Sequence, residues 1–516
     1  MRSIALRWLA GSRRLAALLA LFVFAPASFS STKPRYGGVL RVELLATSAT
    51  IDPRAWKPGS RDFATNERLA VLVFDRLIAL DNYGRFVPQL ATEWSHDSFF
   101  RRWQFTLRAD VKFSDGSLLT AADVVAALAS LLPEDLKVSP SGSNLIFQSS
   151  EPRPDLLELL ASGRFFIFRA LPNGSLLGTG AFALDETADG PKPAAADTSV
   201  AAQAPTQRLR FTANELCWAG RPFLNAIDVT LGVPPLRALF DLQVGKAELV
   251  EFAPDIARRA NQSNTRVWAS LPLTLYALRF EDLPSQSANE RLREAISLSL
   301  DRATIAGVLL QKQAEPAAAL LPQWLSGYAF LFHAETDLGR AKELRASLPS
   351  NKAGGATPLH LQTDVSGDLA RLLAERVAVN ARQTGFSVQA LGKSAAHDAI
   401  ARAPESAELH LFAWRIASLS PGEELRLLAK SQHVEESKEN NPADPDRRYA
   451  WERKILEERK LMPLVALPDY AGLASTVRDW QPSPWGEWRL ADVWLEPAAA
   501  QKAPAPAANA PIGVRP

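Results

Sequence analysis

Cysteine is almost missing from this chain: Cys217 stands alone among 516 residues. An intrachain disulfide and a thiolate zinc cluster are thereby excluded. Histidine is scarce too. The six present, His96, His333, His360, His397, His410 and His433, never fall four apart, the spacing that sets two metal ligands on one helix face. P-loop, G-x-S-x-G elbow and H-E-x-x-H patterns are all lacking, so neither a metal site nor an enzyme's catalytic constellation has positive support. The apolar run Leu15 to Phe24 stops at ten residues, short of the roughly 20 that span a bilayer. Nor is there an excess of one charge. Residues 1–27 hold Arg2, Arg7, Arg13 and Arg14 and no acid, so a formal +2 overall becomes −2 beyond them, which argues against a nucleic-acid partner.

What is there suits a globular protein of two or three domains, with 47% hydrophobic and 22% charged residues. The basic start, the short apolar run and Ala25-Pro26-Ala27 as an A-x-A-like site read as a secretory signal over residues 1–27, with Ser30 a second cleavage position and an uncleaved anchor the competing account. No cysteine follows the run to accept a lipid, so a soluble exported protein is expected. Residues 185–207 and 497–516 are rich in Ala and Pro, without periodicity; the first reads as a flexible surface insertion, the second as a disordered tail.

Trp103, Phe105 and Leu107 alternate with polar residues, the pattern of a half-buried strand. Asp115-Gly116 then supplies a turn, and Thr120-Ala-Ala-Asp123 a capping box that opens a helix burying Val124, Val125, Leu128 and Leu131. Helical spacing also appears at Leu69, Val73 and Leu77 between Asn66 and Leu80, over Asn289–Leu300 with Asp301 capping the next helix, and over 338–348, 369–380 and 449–460. Residues 434–448 read as a solvated loop, and Gly178-Thr179-Gly180 as a tight turn rather than a phosphate cradle.

The stretch Val111-Lys-Phe-Ser-Asp-Gly-Ser-Leu-Leu-Thr-Ala-Ala-Asp-Val124 resembles a signature of the extracytoplasmic solute-binding proteins of family 5, the periplasmic components of peptide and nickel ABC importers. Tyr36-Gly37-Gly38, Ile51-Asp52-Pro53, Pro88 to Trp94, Gly178 to Phe182, Asn214 to Ile227 and Asn289 to Ile305 resemble further family segments. The resemblance implies an α/β, three-lobed periplasmic-binding-protein-like fold with mixed sheets and an interlobe ligand cleft. Lobe I is expected from residues 36–58, 172–268 and 475–496, lobe II from 59–171 and lobe III from 269–474. It also implies a periplasmic monomer, without cofactor or catalysis, that closes on a small solute or peptide and hands it to an ABC permease in the inner membrane.

The cleft segment is expected in His410 to Glu424, where an alternating strand ends at Trp414 and an irregular loop begins. Peptide-binding relatives resemble W-x-x-D-x-x-x-P here, with the Asp pairing a ligand ammonium; this chain has Ala417 instead. Trp414 is then the candidate for stacking on a ligand, with core packing as its competing role. Arg415, Ser418 and Ser420 are candidates for an acidic or hydroxyl-rich ligand, surface exposure being the alternative for the arginine. Glu281, where relatives often carry Asn, is a candidate replacement for the lost charge. Two other functions stand beside importer service: a degenerate relative acting as sensor or structural partner, and an exported hydrolase, for which no nucleophile has a placed base.

Overall fold

The computed structural model describes residues 33–60, 62–185, 207–281, 286–348, 359–391, 407–435 and 444–496. The expected signal, the body of the 185–207 insertion and the 497–516 tail lie outside them. Strand Arg102–Leu107 forms as its alternation dictates, with Trp103 and Phe105 buried and Gln104 exposed. It sits second in a four-stranded antiparallel sheet in the order Ala91–His96, Arg102–Leu107, Asn144–Ser149, Leu136–Ser141. Gly116 takes a φ of +87° in the turn after Phe113. Thr120 and Asp123 exchange both capping-box bonds at the start of helix Ala121–Leu128. Val124, Leu128 and Leu131 are buried; Val125 is only half-buried.

The helix expected across Asn66–Leu80 stops at Val73, as helix Phe63–Val73, and Ile78–Leu80 is a strand paired with Phe86–Pro88. The apolar period runs on past the break, but Asp75 ends the helix. Its buried carboxylate accepts bonds from Thr179, Trp218 and Gln89, while its carbonyl takes Ile167 N–H. Gly178 and Gly180 press against the Val73 carbonyl so closely that a Cβ at either would overlap it. Their role is close approach to this helix end. The 449–460 helix begins earlier than expected, as Pro445–Glu457, with Asp444 capping its first turn. Asp301 caps Arg302–Thr304 as expected.

A single mixed sheet runs through the rest. One half contains Phe182–Leu184, Arg208–Ala213, Ala226–Leu231, Val39–Leu44 and Leu249–Phe252; the other contains Leu409–Arg415, Leu359–Thr363 and Val388–Leu391. Two long antiparallel strands, Arg266–Phe280 and Leu461–Leu473, join the halves. Residues 470–473 pair with Leu249–Phe252 on one side, and Thr274–Phe280 with Leu409–Arg415 on the other. Between these ends the register slips around Ala269, Pro272 and Thr274, with Pro272 facing Pro468. Proline gives the ladder no N–H, and a bulge bends the strand, so the crossing is the weak line of the sheet. Helices Gln286–Ser299, Leu338–Ser347 and Asp368–Gln383 belong to the second half of the sheet, where they enclose a core that includes Leu292, Ile296 and Leu373. The result is a lobed, mixed α/β fold with one large mixed sheet and a separate four-stranded antiparallel sheet.

Candidate functional site

Two cavities are lined in common by the chain that leaves strand Leu409–Arg415. Trp414 is the last but one residue of that strand and its side chain is buried: a Cβ on Gly59 would overlap the indole, and its Nε1–H donates to the Glu424 carboxylate at 2.6 Å. The indole therefore belongs to the core and presents no face for stacking. Arg415 is just as buried, its guanidinium donating to Asp469 at 2.8 Å. Arg68 holds the other oxygen of Asp469 at 2.6 Å and reaches Glu251 at 2.6 Å. Arg415 is thus matched by protein carboxylate.

Ala417 N–H and Ser418 N–H donate to the same Glu424 carboxylate, at 3.0 and 2.8 Å. The irregular loop is folded over one buried acid. Burial pushes the Glu424 pKa up to about 7, against the pull of the Trp414 indole and the two backbone donors. Ser420 caps helix Pro421–Ser431 through Glu423 N–H, and its hydroxyl donates to Asp155 at the start of helix Leu156–Leu160. Leu419 N–H reaches Ser162 Oγ at 2.9 Å. Glu281 is not part of this cluster. It follows the far end of strand Arg266–Phe280, where Phe280 pairs with Leu409, roughly 20 Å along the strands from Arg415 at about 3.4 Å per residue. It pairs with Arg279 at 2.9 Å and its side chain is 49% exposed. It does not replace the charge missing at Ala417.

Charged residues that the sequence pattern did not mark fill the same junction. Arg76, buried, donates to Glu67 at 2.7 Å, to Glu487 and to the Gly163 carbonyl at 2.8 Å; Arg489 holds the other Glu487 oxygen at 2.9 Å. Burial raises the Glu67 pKa to about 7 despite Arg76, with nearby Glu487 adding to the rise. Burial works against ionised Glu487 as well, but Arg76 and Arg489 hold its pKa below the usual carboxylate range. Asn66, Glu67 and Arg68 sit together on a helix buried almost all round. The available signal was a polar triplet inside an apolar helix, since such residues are rarely buried unless paired.

Three spaces adjoin the loop. An inner cavity of about 20 Å³, lined by Glu67, Gly163, Leu273, Ala417, Trp485 and Glu487 among others, has room for about one water. A gap of about 540 Å³ is walled by Phe63, Leu131 to Asp135, Arg164, Ala417, Ser418 and helix Pro421–Ser431. A third, of about 250 Å³, opens beside Leu273 and Ile416. In the gap, Asp135 is bound to Arg153 and Glu423 to Arg426. Arg164 is different. It is half-buried, donates to the Leu131 carbonyl at 3.3 Å, and forms no ion pair with any described residue. Burial lowers its pKa, with Glu423 only partly compensating. No three His, Cys, Asp or Glu side chains gather as metal ligands among the described residues, and no helix among them is long and apolar enough to cross a membrane.

A lobed α/β fold whose lobes meet over a polar, partly open junction is the architecture of a binding protein that closes on its guest. The chain belongs to the bacterial extracellular solute-binding proteins, family 5, whose model matches residues 85–434. It is 27% identical over 107 residues to the periplasmic oligopeptide-binding protein OppA of Haemophilus influenzae, covering 21% of this chain and 20% of that one. It is 25% identical over 301 residues to the periplasmic murein peptide-binding protein MppA of Escherichia coli, covering 50% and 52%. The matches thus span about a fifth and about half the lengths of these relatives. In fold it is similar to NikA from Staphylococcus aureus, solved in complex with Ni(L-His)2, with a TM-score of 0.69 at 14% identity over 89% of this chain and 99% of that one.

The buried acids set a pH dependence. Glu424 and Glu452 are both raised to about 7 by burial, from an ordinary 4.5. As pH falls from about 7 to 4.5 the folded state takes up protons that the unfolded chain does not, so these groups add stability on the acid side and lose it as pH rises through 7. Each is worth of the order of 1–3 kcal/mol over that window. Acids held low, such as Asp123 and Asp135, act oppositely but only below about pH 4. The melting temperature is expected to be highest near pH 5 and to fall by several degrees at pH 7.5; a curve that rises over this interval would contradict the assignment.

Proposed function

We propose that this protein is the exported, periplasmic substrate-binding component of an ABC importer. In this reading it works as a monomer, captures a small peptide or peptide-like solute by lobe closure, and delivers it unchanged to a permease complex in the inner membrane. The lobes are taken as residues 36–58 with 172–268 and 475–496, residues 59–171, and residues 269–474, flexing at the Pro272–Pro468 crossing. The observation that carries the reading is Arg164. A half-buried guanidinium that forms no ion pair among the described residues, with Glu423 acting on it only from a distance, faces a gap of about 540 Å³, a volume within the range that small-molecule sites occupy. A solute carboxylate would complete it, by a charge-assisted and potentially bidentate bond. Oligopeptides, murein peptides and histidine, which appear in the relatives' names, all carry one. Ala417 leaves the family's ammonium-pairing position empty of charge, so recognition here is assigned to the anionic end of the solute.

A ligand that prefers the shut form shifts the lobe equilibrium by its differential affinity. Titration calorimetry against a panel of peptides, amino acids and metal–amino acid complexes, followed by small-angle scattering, is expected to find a carboxylate-bearing binder that contracts the molecule. With that binder, Arg164→Ala should weaken binding roughly 10- to 150-fold, the loss of one hydrogen bond to a charged group. A binder unaffected by the substitution would remove Arg164 from the site. Silence of the whole panel, with scattering that never contracts, would contradict transport service itself.

A further inference from the structure

The space of about 250 Å³ beside the junction has a different chemistry from the gap. Its walls come from Leu273 to Leu275 of the long crossing strand and from Glu315 to Gln323, a stretch in which Ala317, Ala318 and Ala319 leave the room that longer side chains would fill. Leu320 and Leu321 are buried behind them. Three backbone donors of this wall are already spent. Ala317 N–H goes to the Leu464 carbonyl at 3.0 Å, and Leu320 and Leu321 N–H both go to Glu452, at 2.7 and 3.0 Å. At the mouth, Gln323 uses both ends of its amide, on Phe330 N–H and the Gly327 carbonyl. Phe330 stands 65% exposed there. Apart from Thr274 and the exposed Glu315 the walls are largely apolar or amide-paired, which favours an apolar group over water; an engineered apolar cavity of about 150 Å³ holds benzene.

This pocket adjoins the junction across a shared wall. Leu273 and Ile416 line both it and the inner cavity, and Ala417 and Ser418 line both the inner cavity and the gap that Arg164 faces. Along three consecutive residues the surroundings pass from apolar at Ile416 to charged beyond Ser418, where Glu134, Asp135 and Glu423 stand with Arg164, Arg426 and Lys430. We propose that the pocket receives an uncharged apolar group, an aromatic ring or a short alkyl chain, on the solute whose anionic end Arg164 holds. This rests on the assignment of Arg164 to a solute carboxylate and narrows that solute to one with an apolar arm.

The test uses n-alkanols from ethanol to 1-octanol, which carry no charge and so do not depend on Arg164. Binding to the full chain is followed by the methyl NMR signals of Ala317, Ala319 and Leu273. Affinity is expected to rise about four-fold per methylene until the pocket is full, the ordinary gain for a buried CH2. Ala319→Phe, which fills the space, should flatten that series; Ala317→Leu, a smaller intrusion, serves should the first variant fail to fold. Alkanols that leave these methyl signals unmoved, or a series that both variants leave unchanged, would overturn the proposal. Matched alkanoates then separate the two readings. A carboxylate that adds affinity in the parent and none in Arg164→Ala supports a solute spanning both sites. Alkanol binding with no such gain overturns the shared solute, while the Arg164 reading stands or falls by the effect of Arg164→Ala on the panel binder.

Discussion

Arg76→Met is expected to lower the free energy of unfolding at pH 8 by about 3–5 kcal/mol, the ordinary cost of removing one partner from a buried ion network. Methionine keeps most of the volume, and it keeps a chain against the Phe166 ring, over which the guanidinium now lies at 4.0 Å. What is lost is electrostatic. Glu487 keeps Arg489, but Glu67 has no other ion-pair partner among the described residues, and the Gly163 carbonyl loses its donor. Glu67, already raised to about 7, would rise further without Arg76. A carboxyl raised in the folded state stabilises below its pKa and is lost as pH climbs through it, so the deficit should be larger at pH 8 than at pH 6. Adding Glu67→Leu removes the stranded acid and should restore part of the loss, because uncharged replacements of buried pairs are often tolerated. Urea titrations of the four forms of this cycle at both pH values measure the coupling. Equal deficits at pH 6 and pH 8, with additive substitutions, would mean that Arg76 and Glu67 do not act together.

How far these features can be read beforehand depends on the range over which each is determined. The strand at Trp103, the turn at Gly116 and the Thr120 capping box rest on neighbours within a few residues, and they form as their spacing requires. Helix Phe63–Val73 ends early because Asp75 is claimed by Thr179 and Trp218, more than a hundred positions away, which no local period contains. The stretch after Trp414 does lie at the junction, since a strand running into Ser-Leu-Ser-Pro must end in a loop. The orientation of each side chain there was not legible. Arg415 finds Asp469, Trp414 finds Glu424 and lies beneath Gly59, and Ser420 finds Asp155. Arg164 gave no signal at all, because an arginine in GRFFIF differs from a surface arginine only by what surrounds it once folded.

Gly163→Ala should shift the lobes toward an open arrangement while leaving each lobe folded. In the proposed division of the chain, Gly163 belongs to the second lobe and Ala417 to the loop of the third. A Cβ on Gly163 would overlap the Ala417 carbonyl oxygen, a backbone atom held in place by the Glu424 bond to Ala417 N–H. Overpacking of this kind costs about 1–3 kcal/mol, and the cost falls on the shut form alone, since separation of the lobes removes the neighbour. An equilibrium biased by that amount moves about 5- to 150-fold. Alanine at a φ of +58° also carries left-handed strain of about 1–2 kcal/mol, but it does so in both forms. Gly142→Ala isolates that second cost: Gly142 has a φ of +63° and no atom within 4 Å of where its Cβ would stand. Both variants should therefore lose a similar increment of stability, whereas only Gly163→Ala should expand the scattering profile and demand more ligand to contract it. Identical profiles for the two variants would show that the contact between Gly163 and Ala417 does not govern closure, and that the junction is held shut by its ion networks alone.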